Sequence, residues 1–293
     1  MPRRRRIHVP GAFYHVTLRG NHRQKIFFRR TDRQLLDKIV AETIDRYSTR
    51  LHAYCYMTNH LHFLFQVSAT PLGRVMMCIA SRYARTVQAR LDTTGHLFER
   101  RYHPIVVDAD EYLLAILRYI HRNPVEAGIV TAVKDYPWSS HHAYLGADTQ
   151  TWVTTGFALR LFHSERGKAI AAYQRFVEGS TSEGDELITS HLNSDNSRIL
   201  GSDDFLAKLL SEAGRHGQQK TLDELVANAC RRFSVSCDEL RSRSRQRRLT
   251  RVRAWVAYQA AIQEIASVSE VARAFNRSEG SLRQSVKCHF RCL

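Results

Sequence analysis

Hydrophobic residues along the first 122 positions follow two periods, one typical of strands and one typical of helices. Strand-like alternation covers residues 12–18, 51–67 and 102–107. Apolar residues at helical spacing cover residues 31–47, 71–91 and 108–122. The run 51–67 fits one long strand or, better, a hairpin that turns at Thr58-Asn59, because those residues favour turns. The order β-α-β-β-α-β with one more helix predicts an α+β fold, a ferredoxin-like domain whose antiparallel sheet carries two helices on one face.

The rest of the chain predicts a helical second domain. Residues 179–202 are rich in Ser, Gly, Asp and Glu and favour a linker. We therefore predict a first domain with a helical extension at 1–178, a linker at 179–202 and an all-α domain at 203–293. Within the last domain two short helices joined at Asn276-Arg277 have the outline of a helix-turn-helix.

The charge of the chain is strongly positive and unevenly distributed. The 293 residues carry a net charge of +16, and the pI is near 10.0. Residues 1–100 hold 18 lysines and arginines against 6 acidic residues, and residues 230–293 hold 14 against 5. Two separate basic regions fit surfaces that contact a polyanion, so nucleic acid is favoured over a membrane as partner.

The N-terminal residues and the cysteines indicate the cellular compartment in which the protein is expected. The basic arm Arg3, Arg4, Arg5 and Arg6 is followed by no apolar stretch of the kind that a secretory signal or a membrane span needs. The six cysteines lack a CxxC pair and indicate reduced, mostly structural thiols. A cytoplasmic protein without a membrane partner is expected.

His60 and His62 are the first candidates for chemistry, because they flank a single apolar residue in a strand-like run. Alternate residues of a strand point to the same face, so both imidazoles stand together while Leu61 faces a core. Neutral imidazoles so placed suit a divalent metal, although two ligands alone do not make a site. Tyr119 and Asn123 provide a second candidate, because their spacing of four residues makes them neighbours on one face of the third helix.

Several short motifs together resemble the REP-associated tyrosine transposases, single-tyrosine relatives of the His-hydrophobic-His (HUH) transposases. The motifs lie at 14–21 (YHVTLRGN), 57–62 (MTNHLH), 95–98 (GHLF), 119–128 (YIHRNPVEAG) and 136–140 (YPWSS). The resemblance spans about residues 8–146. The tail resembles the helix-turn-helix domain of the bacterial replication initiator DnaA, which implies contact with duplex DNA. Arg283, Gln284 and Lys287, together with the basic arm at residues 3–6, are the candidate DNA-binding residues.

The resemblance implies a metal-dependent enzyme that cuts and rejoins single-stranded DNA at hairpin-forming palindromic repeats through a 5′-phosphotyrosine intermediate. Carried over to this chain, His60 and His62 bind Mg²⁺ or Mn²⁺, and Tyr119 is the nucleophile. Relatives often have a glutamine as third metal ligand one turn after the tyrosine. The corresponding residue here is Asn123, which is shorter by one methylene. The resemblance also implies a bacterial, nucleoid-associated protein that acts as a monomer or homodimer.

Two other interpretations of the sequence stay open. A DNA-binding regulator that retains the transposase fold but is catalytically silent would need only the basic arm and the helix-turn-helix. A structural zinc protein would need more ligands than two histidines without a cysteine pair. The intact set of His60, His62 and Tyr119 favours the enzyme over both.

Overall fold

The structure, a computed structural model, describes residues 8–146, 151–179, 183–194, 197–216, 221–262 and 265–289. The chain divides into two compact units, Met1–Ala213 and Gly214–Leu293. The basic arm at residues 3–6 lies outside the described residues. In the described part of the chain, no helix combines the length and the apolar character that crossing a membrane requires.

The first unit is built on a five-stranded sheet. Its strands are β1 (Phe13–Arg19), β2 (Arg50–Tyr56), β3 (His60–Gln66), β4 (His103–Val107) and β5 (Ile199–Leu200). They lie in the order β2-β3-β1-β4-β5, with antiparallel pairing throughout except between β4 and β5. The helices that connect the first four strands are α1 (Arg30–Arg46) and α2 (Leu72–Leu91), and α3 (Ala109–Glu126) follows β4. The ferredoxin-like order and the β2–β3 hairpin are thus confirmed.

Strand alternation divides the core of this unit into two layers. On one face of the sheet Val16, Leu61 and Phe63 pack against the apolar stripes of α1 and α2. On the opposite face Leu64 and Ile105 pack against α3. The third helix therefore covers the face to which His60 and His62 point, which brings its side chains to the histidine pair.

Helix α3 extends past the Asn123-Pro124 step that the sequence predicted as its end. Pro124 lies inside the helix, which ends at Glu126. A proline this close to the end removes one backbone hydrogen bond, from its own position to the carbonyl of Ile120, and leaves the rest of the last turn intact. The stop comes instead from Gly128, whose φ of 66° is the left-handed conformation that ends many helices. Asn123 is therefore a helical residue.

Among the described residues, four more α-helices follow in the first unit before β5: α4 (His141–Leu145), α5 (Gly156–Phe162), α6 (Arg166–Glu178) and α7 (Glu183–Asn193). The described residues of the predicted linker at 179–202 are not an extended segment, since they form α7 and β5, and β5 pairs with β4. The next helix, α8 (Asp203–His216), begins in the first unit, where Leu209 joins the core. The two units divide at 213/214 and not at 202/203 because α8 contributes this apolar residue to the first core.

The second unit is helical, as predicted. It contains α9 (Leu222–Phe233), α10 (Cys237–Arg241), α11 (Arg247–Ile262), α12 (Val268–Ala274) and α13 (Glu279–His289). Capping boxes at Thr221, Ser236 and Ser267 begin three of these helices. The guanidinium of Arg253 is buried and donates to the carbonyl oxygens of residues 239, 240, 242 and 244, which fixes the loop after α10.

Candidate functional site

The histidine pair stands on β3, beside β1. In the antiparallel register His60 lies opposite Arg19 and His62 opposite Thr17, so all four side chains share one face of the sheet. The His60 and His62 ring centroids are 4.8 Å apart. His62 is buried and His60 is partly exposed at the rim. The structure thus places the two imidazoles side by side, as the strand pattern predicted.

Asn59 determines which nitrogen of His60 carries the proton. Its side-chain Nδ2 donates to the carbonyl oxygen of Arg23 at 2.9 Å, which fixes the orientation of the amide. The amide Oδ1 then accepts from Nδ1 of His60 at 2.7 Å. Burial lowers the pKa of His60 to about 4, the charge of Arg19 adds to the lowering, and a hydrogen bond with Asn123 opposes it. His60 is therefore neutral at pH 7 and has a lone pair on Nε2 for a metal.

His62 has a comparable arrangement in a more buried place. Its Nδ1 lies 3.0 Å from Nε2 of His15, which comes from the neighbouring strand β1. Its Nε2 is buried and makes no close hydrogen bond among the described residues. Burial is the largest of the effects that hold the pKa of His62 well below its usual value, His60, His15 and Arg19 add to it, and a hydrogen-bonding interaction with the Asn123 side chain opposes it. An orphaned, neutral imidazole nitrogen beside a second neutral imidazole is what a metal ligand pair requires.

Tyr119 of α3 packs directly against these rings. Its ring stands nearly perpendicular to His62 at 5.5 Å between centroids and to His15 at 5.7 Å. Only 7% of Tyr119 is exposed. Burial raises the pKa of the Tyr119 phenol, and a hydrogen bond with the Asn123 side chain works in the opposite direction. The phenol is accordingly neutral at pH 7 in this structure, so forming the phenolate requires a further source of positive charge.

Asn123 connects the tyrosine to the histidine pair. Its Nδ2 donates to the carbonyl oxygen of Tyr119 at 3.1 Å, one turn earlier in α3. Its side chain also interacts with His60, His62 and the Tyr119 phenol. The shorter side chain of asparagine therefore still reaches the site, because α3 lies close against this face of the sheet.

The side chains of this site fit a divalent metal if the amide oxygen of Asn123 joins the two histidines as a ligand. In the described ranges no group of three or more His, Cys, Asp or Glu side chains is arranged to hold a metal ion. The donors that the site does offer are the Nε2 atoms of His60 and His62 and the amide oxygen of Asn123. Two imidazoles and one amide oxygen suit Mn²⁺ at least as well as Mg²⁺, which prefers oxygen ligands.

Sequence reasoning missed three residues of this site. His15 and Arg19 lie on β1, where strand alternation places both side chains on one face. Only the pairing of β1 with β3 brings this face next to His60 and His62, and the sequence does not show that pairing. The sequence predicts Asn59 only as a turn residue. A signal did exist for it, because a side chain that favours turns can also bond a neighbouring side chain.

The candidate DNA-binding residues of the second unit lie on α13. Arg283 and Gln284 are exposed. The guanidinium of Arg283 forms an ion pair with Glu279 one turn earlier, at 2.5 Å. Lys287 lies on the same helix, and its side chain is outside the described part of the chain. The two helices of the predicted helix-turn-helix are present as α12 and α13, and their role in binding DNA stays a prediction.

Comparisons with known proteins agree with the motifs. Residues 8–123 match a family model described as "Transposase IS200 like". Over 121 residues the chain is 27% identical to a Haemophilus influenzae protein whose name assigns it provisionally to the REP-associated tyrosine transposases, with 36% of this chain and 67% of that protein covered. A solved structure of a REP-associated tyrosine transposase bound to a REP hairpin aligns with a TM-score of 0.43 and 18% identity, over 53% of this chain and 92% of that chain. The resemblance found in the sequence is thus confirmed as a match: residues 8–123 of this chain are similar to the IS200-like transposase family.

Proposed function

We propose that this transposase is a metal-dependent endonuclease and strand transferase that cleaves and rejoins single-stranded DNA at hairpin-forming repeats through a 5′-phosphotyrosine intermediate. The observation that carries the proposal is the contact of Tyr119 with His62 of the His60–His62 pair, with the Asn123 side chain interacting with all three. A nucleophile and a neutral imidazole pair in one site are the groups that phosphoryl transfer to a tyrosine needs.

In this proposal His60 and His62 hold the metal through their Nε2 atoms, and the amide oxygen of Asn123 is the third protein ligand. When bound, Mg²⁺ or Mn²⁺ would supply Lewis-acid stabilisation of charge on the scissile phosphate and favour the phenolate of Tyr119. Arg19, opposite His60, adds a fixed positive charge beside the same phosphate. The metal and Arg19 would thus place two positive groups beside one anionic centre.

Tyr119 carries out the covalent step. Its phenol loses a proton, and the oxygen forms a bond to phosphorus while the bond from phosphorus to the 3′ oxygen of the preceding nucleotide breaks. That oxygen leaves as a 3′-hydroxyl. Because the phosphate remains esterified to Tyr119, a 3′-hydroxyl can attack it in the reverse direction and join strands without ATP.

The charge of the chain supports DNA as substrate. Both basic regions seen in the sequence fit the phosphate backbone, since each cation that meets a phosphate also releases a counterion. The proposed partners are a hairpin-forming single strand at the first unit and duplex DNA at α12 and α13, by a monomer or homodimer acting at the bacterial nucleoid. The Haemophilus influenzae relative is named provisionally as a REP-associated tyrosine transposase, which agrees with DNA as the substrate.

The proposal is tested with labelled single-stranded hairpins whose flanks are randomised, incubated with the wild-type chain and either Mn²⁺ or Mg²⁺. We expect cleavage and a covalent protein–DNA adduct from the wild type and neither from Tyr119→Phe. Tyr112→Phe, on the same helix, is the matched control and should cleave like the wild type. A wild-type chain that binds the hairpins but cuts them with neither metal would contradict the proposal and support the catalytically silent regulator.

A further inference from the structure

His15 on β1 is a buried histidine that the proposed chemistry does not use. Only 1% of His15 is exposed, and 3% of His62. The Nε2 of His15 lies 3.0 Å from Nδ1 of His62, and the two ring planes are within 9° of parallel. Since nitrogen lone pairs and N–H bonds of imidazole lie in the ring plane, this geometry is that of a hydrogen bond between the two rings.

Each of the two rings has a single proton to place. In a neutral imidazole one ring nitrogen carries the N–H and the other has a lone pair, and the 3.0 Å contact joins one nitrogen of each ring. A hydrogen bond between two such rings leaves two arrangements, which differ in which ring donates.

The two arrangements differ at the far nitrogen of His62. If His15 donates, the proton of His62 must sit on Nε2, the nitrogen that the proposed function assigns to the metal. If His62 donates from Nδ1, its Nε2 has a lone pair that faces the site. A protonated Nε2 has no lone pair for a metal, so only donation from Nδ1 is compatible with His62 as a metal ligand.

We propose that His15 is a positioning residue whose Nε2 accepts the Nδ1 proton of His62 and so keeps the Nε2 lone pair of His62 directed into the metal site. The inference rests on the proposed role of His62 as a metal ligand. The same arrangement exists at His60, where the amide oxygen of Asn59 accepts the Nδ1 proton. Each histidine of the pair thus has its own partner behind it, one in the adjacent strand and one in the turn.

The direct test is the tautomeric state of the two histidines in the metal-free wild-type chain, read from ¹⁵N–¹H correlations of the imidazole rings. We expect both His60 and His62 to carry their proton on Nδ1. Finding the proton of His62 on Nε2 would overturn the proposal. This measurement needs no variant, so it does not depend on whether a substituted chain folds.

Two variants extend the test to metal binding, measured as the Mn²⁺ dissociation constant without DNA. His15→Leu removes the acceptor, and we expect affinity to fall about 10- to 100-fold, the usual loss when the partner of a ligand histidine is removed. His15→Gln offers an amide oxygen in its place and should retain most of the affinity. In both variants the tautomer of His60 should stay unchanged, which controls for a general disturbance of the site.

The outcomes separate this inference from the proposed function. A wild-type chain that binds no Mn²⁺, with or without hairpin DNA, would count against the metal-dependent mechanism itself. If the wild type binds Mn²⁺ and His15→Leu binds it equally well, the proposed function stands and the positioning role of His15 is wrong.

Discussion

Acid should destabilise the first unit through a buried network centred on Tyr173. The Tyr173 hydroxyl lies 2.6 Å from Nδ1 of His141 and 2.9 Å from Nδ1 of His121, and Nε2 of His121 lies 2.7 Å from the Ser140 hydroxyl. These side chains join α3, α4 and α6. Burial lowers the pKa of His141 to about 4, and the neighbouring His142 adds to the lowering.

The size of this loss of stability follows from the difference between the pKa of His141 in the folded chain and its pKa in the unfolded chain. The unfolded chain protonates His141 below its ordinary pKa of 6.5, whereas the folded chain resists protonation until the pH approaches 4. The unfolded state therefore binds more protons across this window, and stability falls as the pH falls. Between pH 7 and pH 5 the loss is about 2 kcal/mol for this histidine, at about 1.36 kcal/mol per pKa unit. That is a large part of a typical unfolding free energy of about 5–15 kcal/mol.

The assay compares His141 with His141→Gln, whose amide retains a polar group near Tyr173 but does not titrate. Both are measured in a Trp255→Phe background, so that fluorescence comes from Trp138 and Trp152 of the first unit. Urea unfolding at pH 7 and pH 5 should show that the chain with His141 loses about 2 kcal/mol more than the glutamine variant on acidification. Equal losses in the two chains would show that protonation of His141 does not cause the loss of stability in acid.

Three further predictions concern the two proposed DNA-binding regions. Asn123→Gln should retain metal-dependent cleavage, because its side chain still offers an amide oxygen as a ligand. Asn123→Ala should weaken Mn²⁺ binding, measured by titration, because alanine offers none. Equal Mn²⁺ affinity in both variants would exclude Asn123 as a ligand. Arg19→Ala should slow hairpin cleavage at saturating DNA about 100-fold, which is the usual loss when one charge-stabilising group is removed. Arg19→Lys keeps the positive charge and should lose less of the cleavage rate. An unchanged single-turnover rate in Arg19→Ala would show that Arg19 does not face the phosphate. Replacing Arg283 or Gln284 by Ala should weaken binding of duplex DNA without changing cleavage of short hairpins. Filter binding at several salt concentrations gives the slope of log affinity against log salt concentration. This slope should become smaller only for the arginine variant, if Arg283 contacts a phosphate.

Much of the site was predictable because it depends on periods that the sequence shows directly. Strand alternation placed His60 and His62 on one face, and helical spacing placed Tyr119 beside Asn123. What brings the two pairs together is the packing of α3 on that face. No local pattern encodes this packing, which became visible only through the family resemblance and then through the structure.

The errors have equally local causes. Pro124 is a strong helix breaker in the interior but removes only one hydrogen bond in a last turn that Gly128 ends. The strand β5 has two residues, Ile199 and Leu200, which is too short for any alternation to be detected. Its polar surroundings therefore resembled a linker, although the backbone of β4 offers it a partner.

Mass spectrometry of the trapped protein–DNA adduct shows directly whether Tyr119 is the nucleophile. The wild-type chain is incubated with a hairpin and Mn²⁺, denatured, treated with nuclease and digested with a protease. We expect a nucleotide joined through its 5′-phosphate to the peptide that contains Tyr119, and no such adduct when Mn²⁺ is withheld. A nucleotide on any other residue, or an adduct that persists in Tyr119→Phe, would contradict it.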